Sequence, residues 1–519
     1  MKEKYIKNSI LLFICLIITK FIGAVYKIPL SNILGTNGIG VYQMIYYVYS
    51  LFLVFITGAM PTYIAQKVSN YRATNKNEEI SKLIKSAFTL AIILSLVFTI
   101  IIMIMSKVFS ILQGIENAYL GYIIVGSSII FSGVSSVIKG YFFGYEYMLP
   151  SAISGIVEQS VKLVFGLTFS SILTKYGALY SVYGAFFGVF VSELFAFIFL
   201  IIIYAKKKKT QKSKIDFSNV KNFGVGLLPL IGTNIVIPFS NFLDSFLVVN
   251  LLNNFFENKI STSLFGIATG MIAPIVNFPV LLCGTICTAI LPSLSYKIAN
   301  KEDISTTCNN ILFFVFVIFV PCAFGLMALG ENIIQVFFPS IEQQFFRVAV
   351  YYLKIASISI IWQTLLQIVN SILFGFGKFR LPLISQIVGV IVKICTLIIL
   401  ILCTRLNILS LSIALNVGYC TSLIICLIYV RRFVSLNNSL YKLSFCFLSS
   451  IVMFLVVVVC NYYIILNPII KIVALLLIGV LSYFISCFMF NVISLKDVKG
   501  ILKNIKLGNK NWKVNNNCV

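Results

Sequence analysis

Runs of about twenty apolar residues follow one another along this chain, separated only by short polar breaks, and a run of that length crosses the hydrocarbon of a bilayer. Only helices and closed barrels satisfy their own backbone polar groups there, and runs this continuously apolar are helical. The composition agrees: 60% of the residues are hydrophobic and 11% charged, against roughly 45–50% and 25% in soluble domains. Fourteen spans are expected, at roughly 8–34, 41–64, 86–106, 119–138, 149–173, 178–204, 223–252, 264–291, 310–329, 346–373, 381–403, 407–430, 443–465 and 468–490. Lys2, Lys4 and Lys7 precede the first span in the manner of a signal peptide, but no small-residue cleavage site follows a short apolar core, so the span reads as retained.

A net charge of +25 invites a nucleic-acid reading until the charges are placed. With the amino terminus inside, the inner gaps and both termini carry 29 of the 40 Lys and Arg residues, and the outer ends carry six. This is the positive-inside asymmetry, which puts both termini in the cytoplasm of a multi-pass cell-membrane protein. Lys206 to Lys209, continued by Lys212 and Lys214, then read as a topogenic anchor touching anionic lipid. Thirteen cysteines are scattered without CxxC spacing and look like small buried residues, not disulfides or zinc ligands. Histidine, the commonest metal ligand and general base, is absent.

The chain matches itself at one offset. Ile153 to Lys162 reads ISGIVEQSVK and Ile384 to Lys393 reads ISQIVGVIVK, a shift of 231 that also carries Thr57 onto Thr288, Pro61 onto Pro292 and Phe143-Gly144 onto Phe374-Gly375. The shift takes span two to eight, four to ten and five to eleven. Six crossings is an even number, so the halves are parallel repeats about an axis along the membrane normal, with a path expected between them. The expected fold is an all-α polytopic membrane protein: an N-lobe (1–205, spans one to six), a basic cytoplasmic linker (206–222), a C-lobe (223–432, spans seven to twelve), two further helices (433–492) and a basic cytoplasmic tail (493–519). A duplication kept only for packing is the alternative.

Ionisable groups at the bilayer centre cost at least ~2.5–3.5 kcal/mol on insertion scales and usually face a partner or a wet cavity. Lys20 and Lys27, seven apart, share one face of the first span. Glu158 and Lys162, four apart on span five, can pair with each other, whereas Lys393 at the equivalent position of the second half has no carboxylate four residues earlier. Glu193 and Asp244 look like isolated carboxylates, candidates for carrying a proton or binding sodium, or else simply hydrogen-bonded to a neighbouring helix. Pro229 and Pro238 interrupt span seven, and Pro274 and Pro279 span eight, freeing carbonyls. Five intramembrane lysines (Lys20, Lys27, Lys162, Lys354, Lys393) against three acids suit an anionic cargo better than a cationic one.

The segments Gly23 to Met44 (GAVYKIPLSNILGTNGIGVYQM), Gly58 to Asn70 (GAMPTYIAQKVSN), Gly140 to Leu163 (GYFFGYEYMLPSAISGIVEQSVKL) and the ILPSLS ending span eight resemble the multidrug, oligosaccharidyl-lipid and polysaccharide exporter superfamily, nearest its stage V sporulation protein B and lipid II flippase branch. The resemblance implies two lobes around a cavity, alternating access, and export of an undecaprenyl-pyrophosphate-linked saccharide for wall, spore-cortex or polysaccharide synthesis. It also implies that Lys20 and Lys27 face the cavity and that Lys162 is the basic residue of the VEQxV(R/K) motif. Phe143 stands where a polar residue is common in the family. Together these give substrate contacts at Lys20, Lys27, Glu158, Lys162 and Lys393 and ion-coupling candidates at Asp244 and Glu193. No cofactor is expected beyond a coupling Na+ or H+, and the partners are the lipid-linked saccharide, the bilayer and envelope-synthesis enzymes. The rivals are a multidrug antiporter of the same superfamily, a membrane-embedded glycosyltransferase or polymerase, and a scaffold for envelope assembly.

Overall fold

The computed structural model describes residues 2–207, 217–300, 304–435 and 440–492. Most of the expected linker, including Lys208, Lys209, Lys212 and Lys214, and the whole tail from 493 to 519 lie outside the described residues.

The first helical element, Lys2–Thr57, is two helices meeting at Gly35, whose φ of 68° lies in the left-handed region that glycine enters without penalty. Its halves are α1 (residues 2–34) and α2 (residues 36–57, continued past a turn at Gly58 and Ala59 by Met60–Ala73). There follow α3 (Asn77–Leu112), α4 (Tyr119–Gly144), α5 (Leu149–Leu173), α6 (Ala178–Lys207), α7 (Phe217–Leu252) and α8 (residues 258–299). The chain continues with α9 (Ser305–Phe337), α10 (Gln343–Gly375), α11 (Arg380–Cys403), α12 (Leu409–Val430), α13 (Leu440–Tyr463) and α14 (Pro468–Met489). Thirteen stretches are long and apolar enough to cross a membrane, but the first, Ile14–Ala73, has 60 residues. At 1.5 Å per residue it would be about 90 Å long, roughly three hydrocarbon thicknesses. Folding at Gly35 turns it into two crossings, which restores the expected fourteen.

The internal repeat survives in the backbone. α4 ends at Gly144 and α10 at Gly375, each followed two residues later by a positive φ, at Glu146 (59°) and Gly377 (70°). The capping bonds match as well: Tyr147 N to Phe142 O at 2.9 Å corresponds to Lys378 N to Leu373 O at 2.9 Å, both closing the helix in a Schellman pattern. α5 and α11 then start at Leu149 and Arg380, again 231 apart. The bundle thus has two lobes, α1–α6 and α7–α12. α13 and α14 stand outside the repeat and pack on each other and on α9.

The lobes meet tightly at the end of the bundle that carries the α1–α2 turn. A Cβ on Gly40 would lie 2.2 Å from the Thr262 carbonyl oxygen, and one on Gly266 2.3 Å from that of Thr36. Any larger residue there would have to push α2 and α8 apart. Just beyond, residues 267–272 of α8 wind as a π-helix ahead of Pro274. Pro274 has no N–H to give to the carbonyl four or five residues back. Of those carbonyls, Thr269 O accepts instead from Gln43 Nε2 of the other lobe (2.9 Å), while Ser31 Oγ, which donates to Lys27 O of its own helix (2.7 Å), lies 3.5 Å from Gly270 O. Asn32 Nδ2 to Phe337 O (2.8 Å), Asn37 Nδ2 to Lys259 O (3.1 Å) and Gln113 Nε2 to Ser245 Oγ (2.8 Å) extend the seal. At the opposite, linker end, the lobes touch through Asn234 Nδ2 to Gly58 O (2.8 Å) and the edge-on rings of Tyr63 and Phe223.

Candidate functional site

Helical spacing decides which side chains meet inside the first lobe. On α2, Tyr42, Tyr46 and Tyr49 recur at three and four residues and so share one face. Tyr42 is buried against Phe186 of α6, with ring centroids 4.6 Å apart, and Tyr46 stacks on Tyr42 at 6.0 Å, both pairs within 11° of parallel. Lys27 from α1 and Lys162 from α5 converge on this face. Lys27 Nζ lies 5.9 Å from the centre of the Tyr46 ring and donates to Gln43 Oε1 at 3.4 Å. Lys162 Nζ lies 5.6 Å from the same ring and 5.5 Å from that of Tyr26. Both lysines are half-buried and close enough for their charges to repel. Neither has a carboxylate within ion-pair distance among the described residues.

Glu158 makes no ion pair with Lys162, the contact that their four-residue spacing allowed, although it and Glu193 lie within electrostatic reach of that lysine. It faces Lys139 of α4 at 3.9 Å and accepts from Gln159 Nε2 at 3.0 Å. Lys139 was not singled out from the sequence because it sits near a helix end and reads as a cytoplasmic anchor. Glu193 on α6 is half-buried and within electrostatic reach of Glu158 and Lys139. Lys20, one side of α1 with Lys27, is exposed.

The second lobe is arranged differently. Lys393 of α11 donates to Asp244 Oδ2 and to Ser240 Oγ of α7, both at 2.6 Å, and lysine and aspartate are 4% and 5% exposed. Asp244 is therefore not the isolated carboxylate its sequence context suggests, nor is Lys393 without an acid. They are 149 residues apart in the chain, beyond the reach of any helical spacing rule. A 60 Å³ cavity lined by Ser240, Gln386, Lys393 and Tyr419 adjoins the pair.

Alongside α1 runs a third feature, an apolar groove of about 1780 Å³ walled by α1 (Phe21, Val25), α8 (Phe278), α9 (Phe314) and α14 (Leu476, Phe484). Phe21 and Val25 lie within two turns of Lys27, so groove and lysine site share one helix. Among the described residues no three His, Cys, Asp or Glu side chains are grouped to hold a metal ion.

A family model for polysaccharide biosynthesis protein matches residues 5–297, and one for MatE matches residues 229–399. The lipid II flippase MurJ of Bacillus subtilis (strain 168) is 23% identical over 461 residues, covering 83% of each chain. The stage V sporulation protein B of the same organism is 22% identical over 316 residues, 58% of this chain and 60% of the relative. Among solved structures, the inward closed conformation of the lipid II flippase MurJ superposes with a TM-score of 0.76 at 16% identity, covering 93% of this chain and 98% of that one. An inward-facing multidrug resistance MATE family transporter superposes with a TM-score of 0.65 at 14% identity, covering 81% and 96%.

Proposed function

The chain belongs to the polysaccharide biosynthesis protein family, within the multidrug, oligosaccharidyl-lipid and polysaccharide exporter superfamily, and on that premise we propose that it is a flippase, not an enzyme, moving an undecaprenyl-pyrophosphate-linked saccharide from the cytoplasmic to the outer leaflet. The observation that carries the reading is the pair of lysines, Lys27 and Lys162, gathered on one tyrosine ring with no acid in ion-pair distance among the described residues, Lys27 lying on the helix that also walls an apolar groove. Two ammonium groups held near each other in a low-dielectric site repel, and an anion of charge −2 between them relieves that repulsion. The groove suits a prenyl chain, whose transfer from water is worth ~0.8 kcal/mol per CH2 but whose transfer from lipid costs little, so it guides the tail without trapping it.

In this reading the linker end faces the cytoplasm, as the positive-inside asymmetry requires, and the hydrogen-bonded turn end is the outer gate, closed here. Lys20 lies on the approach to the site, and Lys27 and Lys162 take the diphosphate. Lys139 keeps Glu158 off Lys162. Lys393 is held by Asp244 in this conformation, so the repeat equivalent of Lys162 is not free for the cargo, and any cation coupling through Asp244 would require displacing Lys393. Glu193 is the remaining candidate for carrying a proton. Opening of the turn end then delivers the headgroup outside, and an inside-negative potential favours outward movement of a net anion by about 2.3 kcal/mol per charge per 100 mV.

A multidrug antiporter for organic cations needs free acids in its cavity. Here two of the three intramembrane acids are tied to lysines, at 3.9 and 2.6 Å. The test is reconstitution in liposomes with candidate lipid-linked saccharides, following headgroup accessibility under sodium, proton and potential gradients. Movement of cationic drugs without movement of any polyprenyl-linked lipid would replace this reading with the antiporter.

A further inference from the structure

Lys162 and Lys393 are repeat equivalents, yet their surroundings differ in kind: Lys393 faces a carboxylate, Lys162 faces two rings. A carboxylate neutralises an ammonium and competes with any anion for it. An aromatic face attracts the cation through its quadrupole but carries no formal charge, so it fixes the ammonium in place and leaves its charge available. Tyr46 does this for two lysines at once. Its ring lies 5.9 Å from Lys27 Nζ and 5.6 Å from Lys162 Nζ, and its tilt is fixed from behind by the stack on Tyr42, itself seated on Phe186. Without that ring, two flexible side chains of like charge have every reason to separate, since each carries several rotatable bonds and each can swing toward water.

We propose that Tyr46 is a positioning residue that holds Lys27 and Lys162 over one ring so that both ammonium groups are presented to the same diphosphate. The consequence for cargo binding rests on the reading of those lysines as the diphosphate site. The positioning itself does not.

Two readouts on the full-length protein in detergent micelles separate the two. In the first, lysines are reductively methylated with 13C-formaldehyde and the Lys27 and Lys162 signals are assigned with K27R and K162R. Both signals are expected to carry ring-current shifts that persist in Tyr46→Phe; in Tyr46→Leu the Lys27 shift is lost and the Lys162 shift falls, the Tyr26 ring remaining near Lys162. In the second, farnesyl diphosphate is titrated as the probe. Tyr46→Leu is expected to weaken binding about tenfold, equivalent to about 1.4 kcal/mol, while Tyr46→Phe stays within about twofold because it keeps the aromatic face. Ring-current shifts unchanged in Tyr46→Leu would overturn the proposal, as would a Tyr46→Phe variant that loses as much affinity as Tyr46→Leu. If the wild-type protein shows the ring shifts but does not bind farnesyl diphosphate, the diphosphate reading falls, and with it the proposed purpose of the ring.

Discussion

Lys162 and Lys393 occupy the same place in the two halves of one repeat, but of the two only Lys393 forms an ion pair, with Asp244 at 2.6 Å. The lobes share a backbone plan and differ in electrostatics: the first keeps Lys27 and Lys162 without an ion-pair partner among the described residues, and the second ties Lys393 to Asp244. This asymmetry has consequences for stability as well as for transport.

Breaking the buried pair is expected to destabilise the protein strongly. Removing one member of such a pair leaves an uncompensated charge and costs about 3–5 kcal/mol, whereas replacing both with apolar residues of similar volume is often neutral. Asp244→Leu and Lys393→Met should each lower the thermal unfolding midpoint in detergent, and the double variant should recover most of the loss. Additive losses would mean that the two residues do not act as a pair.

Lys27→Ala and Lys162→Ala are expected to behave in the opposite way. Neither lysine has an acid within ion-pair distance among the described residues, so its removal breaks no ion pair. Both variants should elute as folded protein with unfolding midpoints at or above wild type, while headgroup export falls at least tenfold. Size-exclusion profiles and export assays on the same preparations check both halves.

On the proposed orientation, the close approach of α2 and α8 closes the outer gate. Gly40→Val or Gly266→Val places side-chain atoms where the opposing carbonyl lies 2.2–2.3 Å from the Cβ position, so the seal around Asn37 and Lys259 cannot close. Distance measurements between bio-orthogonal spin labels at positions 37 and 259 should show a longer, broader distribution than in wild type. An unchanged distribution would remove this contact from the gate.

Filling the groove should discriminate by tail length. Leu476→Trp, on the α14 wall, is expected to slow transport of a long polyprenyl substrate several-fold and to leave binding of farnesyl diphosphate nearly unchanged, because the shorter tail needs less of the groove. Equal losses for both tails would assign Leu476 to packing alone.

The architecture was largely legible before any coordinates. Apolar runs mark the crossings because lipid leaves the backbone no other solution, and the 231-residue shift reappears in matching helix ends at Gly144 and Gly375. The charges at Lys27 and Lys162 stand out because such residues are costly in lipid. Their partners do not. Asp244 and Lys393 meet across 149 residues of chain, and Lys139 reaches Glu158 from another helix, contacts that no periodicity encodes. Tyr26, Tyr42 and Tyr46 do not stand out, because an aromatic residue on an apolar helix ordinarily is core. The spacing of Tyr42, Tyr46 and Tyr49 beside Gln43, polar tips repeated on one face, was the available signal. The groove was hidden because its wall of α13 and α14 lies outside the repeat.

Headgroup translocation by the Lys27–Lys162 site is measured most directly in proteoliposomes. Proteoliposomes carrying a fluorescent polyprenyl-diphosphate saccharide in the leaflet that meets the linker end should, under an inside-negative potential, expose the headgroup to an external quencher with wild-type protein. With Lys27→Ala/Lys162→Ala they should expose it no faster than empty liposomes. Equal exposure by the wild-type and double-variant proteins would contradict the site, and no exposure above empty liposomes by wild type with any such lipid would contradict the function.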